Sequence, residues 1–313
     1  MYRLFTTSVP AIIMSDEHIF DCWEDQAHCV KSPQNPLGPP IWKIFTFHFW
    51  PTAAHPLGHP WTISPEDYAS QIMKATDENT YIPYSVEPSC DLQPLIPPTK
   101  RDQGRVWTLA KRLSYLTPHY ERAWPASYLA SVSRNTGAHF MLGAENDTAF
   151  TTEHIPSIDE LGGERVVQNL GLLDRPQFME EMAKSMVLLG VGRPAISPTP
   201  YQALCLGVPF INPIMDWDID DPEERKGWWT QHDGLKFLDP PFVYNVRKDD
   251  ESGLTKAITL AMQNPIPRYI PPGRSLPEAA VHMDAFLRRD WRSEAEALLA
   301  ERIRTKQGER FTL

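Results

Sequence analysis

The chain has 313 residues, 42% of them hydrophobic and 22% charged, with a net charge of −10 at pH 7. That length suits about two domains, and the apolar content suffices for a real core. The acidic balance argues against sequence-independent binding to nucleic acid or to anionic membrane, both of which need a basic surface, but it leaves room for a local basic pocket.

The 31 prolines are about twice average usage and call for long irregular segments. The four cysteines, Cys22, Cys29, Cys90 and Cys205, are too few and scattered for a disulfide scaffold, and without a CxxC pair a structural zinc site is not expected. Cys205 reads as a small core residue, whereas Cys22 and Cys29 are free to pair in an oxidising compartment. No apolar run reaches the ~20 residues of a membrane span. The N-terminus, MYRLFTTSVPAIIMSDE, is a poor signal peptide, so the chain is expected to be soluble, with no targeting segment.

Ser32 to Pro40 is rich in proline and reads as loop. Ile41 to Trp50, apolar and aromatic, suits a buried strand. His48, His55 and His59 follow closely, but no carboxylate accompanies them at ligand-like spacing, so they read as loop histidines. Ser64-Pro65-Glu66-Asp67 predicts a helix start, with Ser64 as cap and the helix running to about Lys74. Tyr81 to Val86 is an edge-strand candidate because Pro83 interrupts it.

From Arg105 strands and helices alternate. Strands are predicted at Val106–Lys111, His139–Leu142 and Arg165–Leu170, with a helix over Pro125–Asn135 stopped by Gly137. A helix over Pro176–Lys184, entered from Asp174, feeds a strand at Met186–Leu189. Then come glycines Gly190 and Gly192, the prolines Pro198 and Pro200, a short helix Tyr201–Leu206 stopped by Gly207, and a strand Val208–Ile211 ending at Asn212 and Pro213. A polar loop from Asp216 to Asp233, a strand Phe242–Val246 and a helix Glu251–Gln263 follow, and Pro277–Arg304 is one amphipathic helix or a pair. The alternation predicts a parallel α/β sheet covered on both faces, with any ligand beyond the carboxyl ends of its strands. The glycine spacing is not the dinucleotide fingerprint GxGxxG.

The stretch Met186 to Pro213, with its small-residue turn, Pro-x-Pro and x-Ala-Leu-x-x-Gly-x-x-Phe-x-Asn-Pro, resembles glycosyltransferase family 18, the α-1,6-mannosylglycoprotein 6-β-N-acetylglucosaminyltransferases. Thr230-Gln231-His232, Val243-Tyr244-Asn245-Val246, and Gln263-Asn264-Pro265-Ile266 with Tyr269 and Pro271 resemble family elements in the same order. Upstream, Trp61–Tyr68 and Tyr81–Glu87 do so too, and Trp42 to Trp50 is similar to fungal members. The resemblance implies a GT-B architecture of two Rossmann-like domains. Residues 45–272 would form the C-terminal, donor-binding domain with its Pro-rich lead-in, residues 1–44 an irregular N-terminal remnant, and residues 273–313 a helical extension. About 45 residues before the matched region are too few for a Rossmann-like acceptor domain, so the chain reads as a fragment, a truncated gene product or a degenerate homologue, and its C-terminal helix is expected to lack the surface on which it usually packs.

The resemblance further implies UDP-N-acetylglucosamine as donor, inverting transfer to a mannose of a glycoprotein N-glycan, no metal, no separate cofactor, and a place in the Golgi lumen or secretory pathway. Without a cation, a leaving diphosphate needs backbone N–H groups, helix N-termini or a basic side chain. Gly190, Gly192 and the helix start after Pro198 and Pro200 are candidates for the first two. Lys111 is the candidate cation, or else a surface lysine beside Arg112. Gly143 would line the pocket near uracil, and Gln231 and His232 either contact the donor or pack the loop. Gln202 stands where the family has a glutamate and Pro83 where it has a glycine. Gln202 keeps a hydrogen bond to sugar hydroxyls but not the charge. No residue is assigned as catalytic base. Two other readings stand beside this one: a non-catalytic nucleotide-sugar-binding or interaction module, and a Mn²⁺-dependent GT-A enzyme built on Asp216 to Asp221. The sequon Asn146-Asp147-Thr148 is compatible with a lumenal protein.

Overall fold

The computed structural model describes residues 9–68, 78–148, 152 and 154–313. In chain order its elements begin with β1 (Ile12–Ser15), α1 (Asp16–Glu24), β2 (Ile44–Phe47), β3 (Thr62–Ser64), β4 (Thr80–Tyr81) and α2 (Glu87–Asp91). The middle of the chain supplies β5 (Arg105–Leu109), α3 (Ala126–Thr136), β6 (His139–Leu142), β7 (Val167–Asn169), α4 (Arg175–Ala183), β8 (Val187–Gly190), α5 (Thr199–Cys205) and β9 (Phe210–Asp216). The last elements are β10 (Trp229–Thr230), β11 (Val243–Arg247), α6 (Glu251–Gln263), α7 (Leu276–Arg288) and α8 (Trp291–Thr305).

The chain divides into two compact units, Met1–Ser85 with Leu276–Leu313, and Val86–Ser275. Residues 45–85, expected to lead into the donor domain, thus fall in the first unit. So do the C-terminal helices, expected to be an extension. The N-terminal stretch is irregular only in part: β1 and α1 are regular, and the proline-rich residues 32–40 are not.

The first unit holds a four-stranded sheet in the order β1-β2-β3-β4, parallel throughout. Its core draws on both ends of the sequence. Phe45 of β2 meets Phe286 of α7 edge-on at 4.6 Å and Trp291 of α8 at 4.8 Å, and all three rings are buried. The C-terminal helices therefore do have a surface to pack on, because aromatic pairs of this geometry add to the burial of apolar area. Ser64 ends β3 instead of capping a helix, and residues 69–74 of the expected helix lie outside the described residues.

The second unit is built on a seven-stranded sheet. Strands β7, β6, β5, β8, β9 and β11 run parallel in that order. The four-residue β8 and five-residue β5 are buried at every position, as expected for a sheet covered on both faces. Helix boundaries follow local chemistry. Gly137 stops α3 in the left-handed region at φ 74, and α4 opens with a reciprocal capping box between Asp174 and Gln177. In α6 the positions Leu254, Ala257, Ile258 and Ala261 make one buried stripe.

Strand β9 runs past Pro213 to Asp216 instead of ending at Ile211. Pro213 is tolerated because the pairing with β8 ends at Ile211 and that with antiparallel β10 begins at Ile214, so no neighbour requires its missing N–H on that side.

Cys22 is bonded to Cys29, and Cys90 to Cys205. Cys205 is thus a half-cystine, not a free core thiol; a partner 115 residues away carries no spacing signal. The second bond fastens α2 to α5. Non-reducing peptide mapping should recover both linkages. Replacing Cys205 by Ala should lower the unfolding free energy by about 3–5 kcal/mol through the lost loop constraint, and an unchanged denaturant midpoint would contradict the linkage.

Candidate functional site

Numbered within the second unit, the parallel strands β7-β6-β5-β8-β9-β11 have the order 3-2-1-4-5-6, which reverses between β5 and β8. In open sheets of this kind the crevice for a ligand lies at that reversal, beyond the carboxyl ends of the strands. Leu109 and Gly190 are register partners across it, so Lys111 and Gly192 leave the sheet side by side. Gly143 leaves the adjacent β6. The structure therefore brings Lys111, Gly143, Gly190 and Gly192 to one edge.

Lys111 is exposed, and among the described residues its ammonium makes no ion pair; its carbonyl accepts from the Glu145 N–H at 3.0 Å. Gly143 is small because Trp107 crowds it: a Cβ there would lie 3.1 Å from Trp107 Cζ2. The Asn169 amide ties the next strand end, accepting from Ala144 N–H and donating to Ala144 C=O, both at 3.0 Å.

The turn from β8 into α5 is braced from below by Gln231 and His232. Gln231 is 1% exposed. Its Oε1 accepts from Gly192 N–H at 2.9 Å and its Nε2 donates to Pro194 C=O at 3.1 Å. A Cβ on Gly190 would lie 2.4 Å from Gln231 Oε1 and 2.6 Å from Pro213 Cδ. Gly192, at φ +102, admits the carbonyl of Glu121 from the loop before α3, 2.7 Å from where a Cβ would stand. Both glycines are thus required by close protein packing.

His232 is fully buried, and its Nε2–H donates to Ser197 C=O at 3.0 Å, which fixes the tautomer. Burial first, then the charge of Arg274, pushes its pKa down to about 3. Its backbone N–H donates to Oδ1 of the buried Asn212 at 3.0 Å, and the Asn212 amide donates to Asn245 Oδ1 at 3.0 Å. The ring meets Tyr201 edge-on at 4.6 Å, and Arg274 lies over Tyr201, 4.2 Å from the ring centre, donating to its hydroxyl at 2.9 Å. Gln231 and His232 therefore act on the crevice through the turn they support.

Helix α5 spans seven residues, with Pro198 at its cap and Pro200 buried within its first turn. Neither proline has an N–H, and that of Thr199 reaches Ser197 Oγ at 3.3 Å. The helix start thus offers little of the donor array expected of it. Gln202, 9% exposed, lies in this helix, and its amide makes no hydrogen bond among the described residues. At the other end Arg101 donates to Gly207 C=O at 2.7 Å and Leu206 C=O at 2.8 Å, capping the helix C-terminus. No local pattern in the sequence marks Arg274 or Arg101, whereas Asn212 ends the expected Val208–Ile211 strand and belongs to the Phe-x-Asn-Pro element. A polar residue inside an apolar run was the available signal for Asn212 alone.

The acidic run Asp216 to Asp221 is taken up locally. Asp216 Oδ1 accepts from Trp217 N–H and Asp218 Oδ1 from Asp220 N–H, and among the described residues no group of three His, Cys, Asp or Glu is placed to hold an ion. Two cavities lie away from the switch point. One, of about 430 Å³, is lined in the first unit by Tyr68, Tyr81, His282 and Arg289. The other, of about 410 Å³, lies beside β11 and is lined by Trp228, Asn245, Arg247 and Lys256. No helix among the described residues is long and apolar enough to cross a membrane.

No family model and no curated protein matches the sequence. Solved structures do. The sucrose-phosphate synthase from Thermosynechococcus elongatus aligns at TM-score 0.52 and 12% identity over 91% of this chain and 75% of that one. A pneumococcal O-GlcNAc transferase solved with UDP and GlcNAc aligns at TM-score 0.42 and 12% identity, over 95% and 59%. The UDP-GlcNAc 2-epimerase from Methanocaldococcus jannaschii aligns at TM-score 0.38 and 12% identity over 64% of this chain, which spans 48% of that structure. The synthase alignment shows the fold: mixed α/β with parallel sheets, similar to the domains of GT-B glycosyltransferases.

Two outcomes follow for the brace. The His232 pKa, about 3 in the folded chain, lies below the ordinary 6.5, so the unfolded chain binds the extra proton first as pH falls. Stability is complete above about pH 7 and falls by about 1.4 kcal/mol per pH unit well inside the window. Buried His55 in the first unit, also near 3, adds a similar slope there. His232→Gln, which keeps a donor toward Ser197, should remove one proton's worth of slope between pH 6 and pH 4; an unchanged slope would contradict the assignment. Gly190→Ala should destabilise by about 1–3 kcal/mol through overpacking, measured by denaturant unfolding.

Proposed function

We propose that this chain binds UDP-N-acetylglucosamine at the switch point of the Val86–Ser275 unit, as the donor side of a family-18-like transferase. The carrying observation is a coincidence. The residues with the family-18 resemblance, Gly190 to Pro213 and Thr230 to His232, form and brace the turn at the strand-order reversal. Lys111 lies beside that turn as an exposed cation.

In this reading Lys111 meets the diphosphate charge, Gly143 lines the nucleoside end, and Gln202 faces the sugar or ribose hydroxyls. The reaction is inverting, metal-independent transfer of N-acetylglucosamine to a mannose of an N-glycan on a glycoprotein, with no separate cofactor. The two disulfides support the Golgi lumen or secretory pathway, where such bonds persist. One observation favours the second reading, a non-catalytic nucleotide-sugar-binding module: Gln202 lacks the charge that a glutamate would bring to the sugar hydroxyls.

Calorimetric titration with UDP and UDP-N-acetylglucosamine tests the site. Both should bind, and Lys111→Ala should weaken each by roughly tenfold, about 1.4 kcal/mol. No binding at millimolar concentration would overturn both readings. Donor hydrolysis or transfer separates them: turnover supports the transferase, and binding without turnover supports the module.

A further inference from the structure

We propose that Arg193 is the principal diphosphate ligand of this crevice, held by Glu121 until a nucleoside diphosphate takes the carboxylate's place. The inference rests on the crevice being a nucleotide-sugar site and adds a residue that the family resemblance does not supply.

A diphosphate at the β8–α5 turn would ordinarily be met by N–H groups. Here Gly192 N–H is committed to Gln231 Oε1, Ile196 N–H to the Gln231 carbonyl at 3.0 Å, and Thr199 N–H to Ser197 Oγ. Pro194, Pro198 and Pro200 have no N–H to give. Fewer backbone donors are thus left in the turn for an anion, which raises the share of its charge that side chains must meet.

Arg193 follows Gly192 directly at the carboxyl end of β8, across the switch point from Lys111 at the end of β5. Arg112 is engaged through its backbone in a bridge with Glu145 on the β6 side, and Arg122 donates to Leu116 C=O at 3.4 Å. Lys111 and Arg193 are cations that leave the two strands of the reversal, β5 and β8.

Nη2 of Arg193 pairs with Glu121 Oε2 at 2.8 Å, with side-chain exposures of 33% and 54%, and the guanidinium stands 5.9 Å from the centre of the Trp229 ring. An ion pair this exposed holds weakly and is easily exchanged. Its carboxylate occupies the kind of position that a phosphate oxygen would take, and guanidinium donates to phosphate in a bidentate fork. Glu121 is then a competitor that sets the affinity of the site.

UDP is titrated into the wild type, Arg193→Ala, Glu121→Gln and the double variant, with far-ultraviolet dichroism confirming that each is folded. Arg193→Ala should weaken UDP by more than about tenfold, and Glu121→Gln should tighten it by about threefold or more. The double variant should bind like Arg193→Ala, because Glu121 acts only through Arg193. Arg193→Lys should recover part of the loss, since it keeps the charge without the fork. If the wild type binds UDP and Arg193→Ala binds it equally well, or if Glu121→Gln leaves the affinity unchanged, the assignment of Arg193 is overturned while the nucleotide site stands. If the wild type binds no UDP, the reading of the crevice falls and this inference with it.

Discussion

The second unit depends on one buried side chain, the amide of Gln231. Its two hydrogen bonds reach Gly192 and Pro194, on either side of Arg193. An unpaired amide at such depth would cost about 1–3 kcal/mol, so the turn and the glutamine stabilise each other in one geometry. That geometry excludes a Cβ at Gly190 and draws the Glu121 loop onto Gly192. The glycines of the turn are the result. A turn that spends part of its backbone donors on its own brace gives the cations at its rim a larger share in meeting an anion.

Helix α5 is fixed at both ends. Below its start lie His232 and the Tyr201–Arg274 stack; at its end lie Arg101 and the bond from Cys205 to Cys90. A seven-residue helix is too short to be stable by propensity, so its placement comes from these tertiary partners. The same holds for the neutral His232, whose burial is tolerable because its N–H finds Ser197 and its ring finds Tyr201. These partners are spread from residue 90 to residue 274 in sequence and converge on one turn.

The alternating part of the fold was legible in the sequence because each element carries a local signal. Gly137 and Gly207 adopt the left-handed stops their positions suggest, the Glu251–Gln263 helix has its stripe, and Asp174 makes its capping box. What depends on distant pairing was not legible. Cys90 and Cys205 meet across 115 residues, and Phe286 and Trp291 return to Phe45 to complete the core of the first unit. Within the site, the sequence pointed to Gly190, Gly192, Gln231 and His232 without showing that Gln231 bonds Gly192 or that His232 bonds Ser197. Arg193 drew no attention because an arginine after a glycine has no pattern; only the strand order shows that it stands opposite Lys111.

The most direct measurement is a crystal structure of the chain with UDP bound. The account predicts the diphosphate beyond the carboxyl ends of β5 and β8, within about 3 Å of Lys111 Nζ and the Arg193 guanidinium, with Glu121 released and Gln231 still bonded to Gly192. UDP bound instead in the cavity beside β11, or at the switch point with the Arg193–Glu121 pair intact, would contradict it.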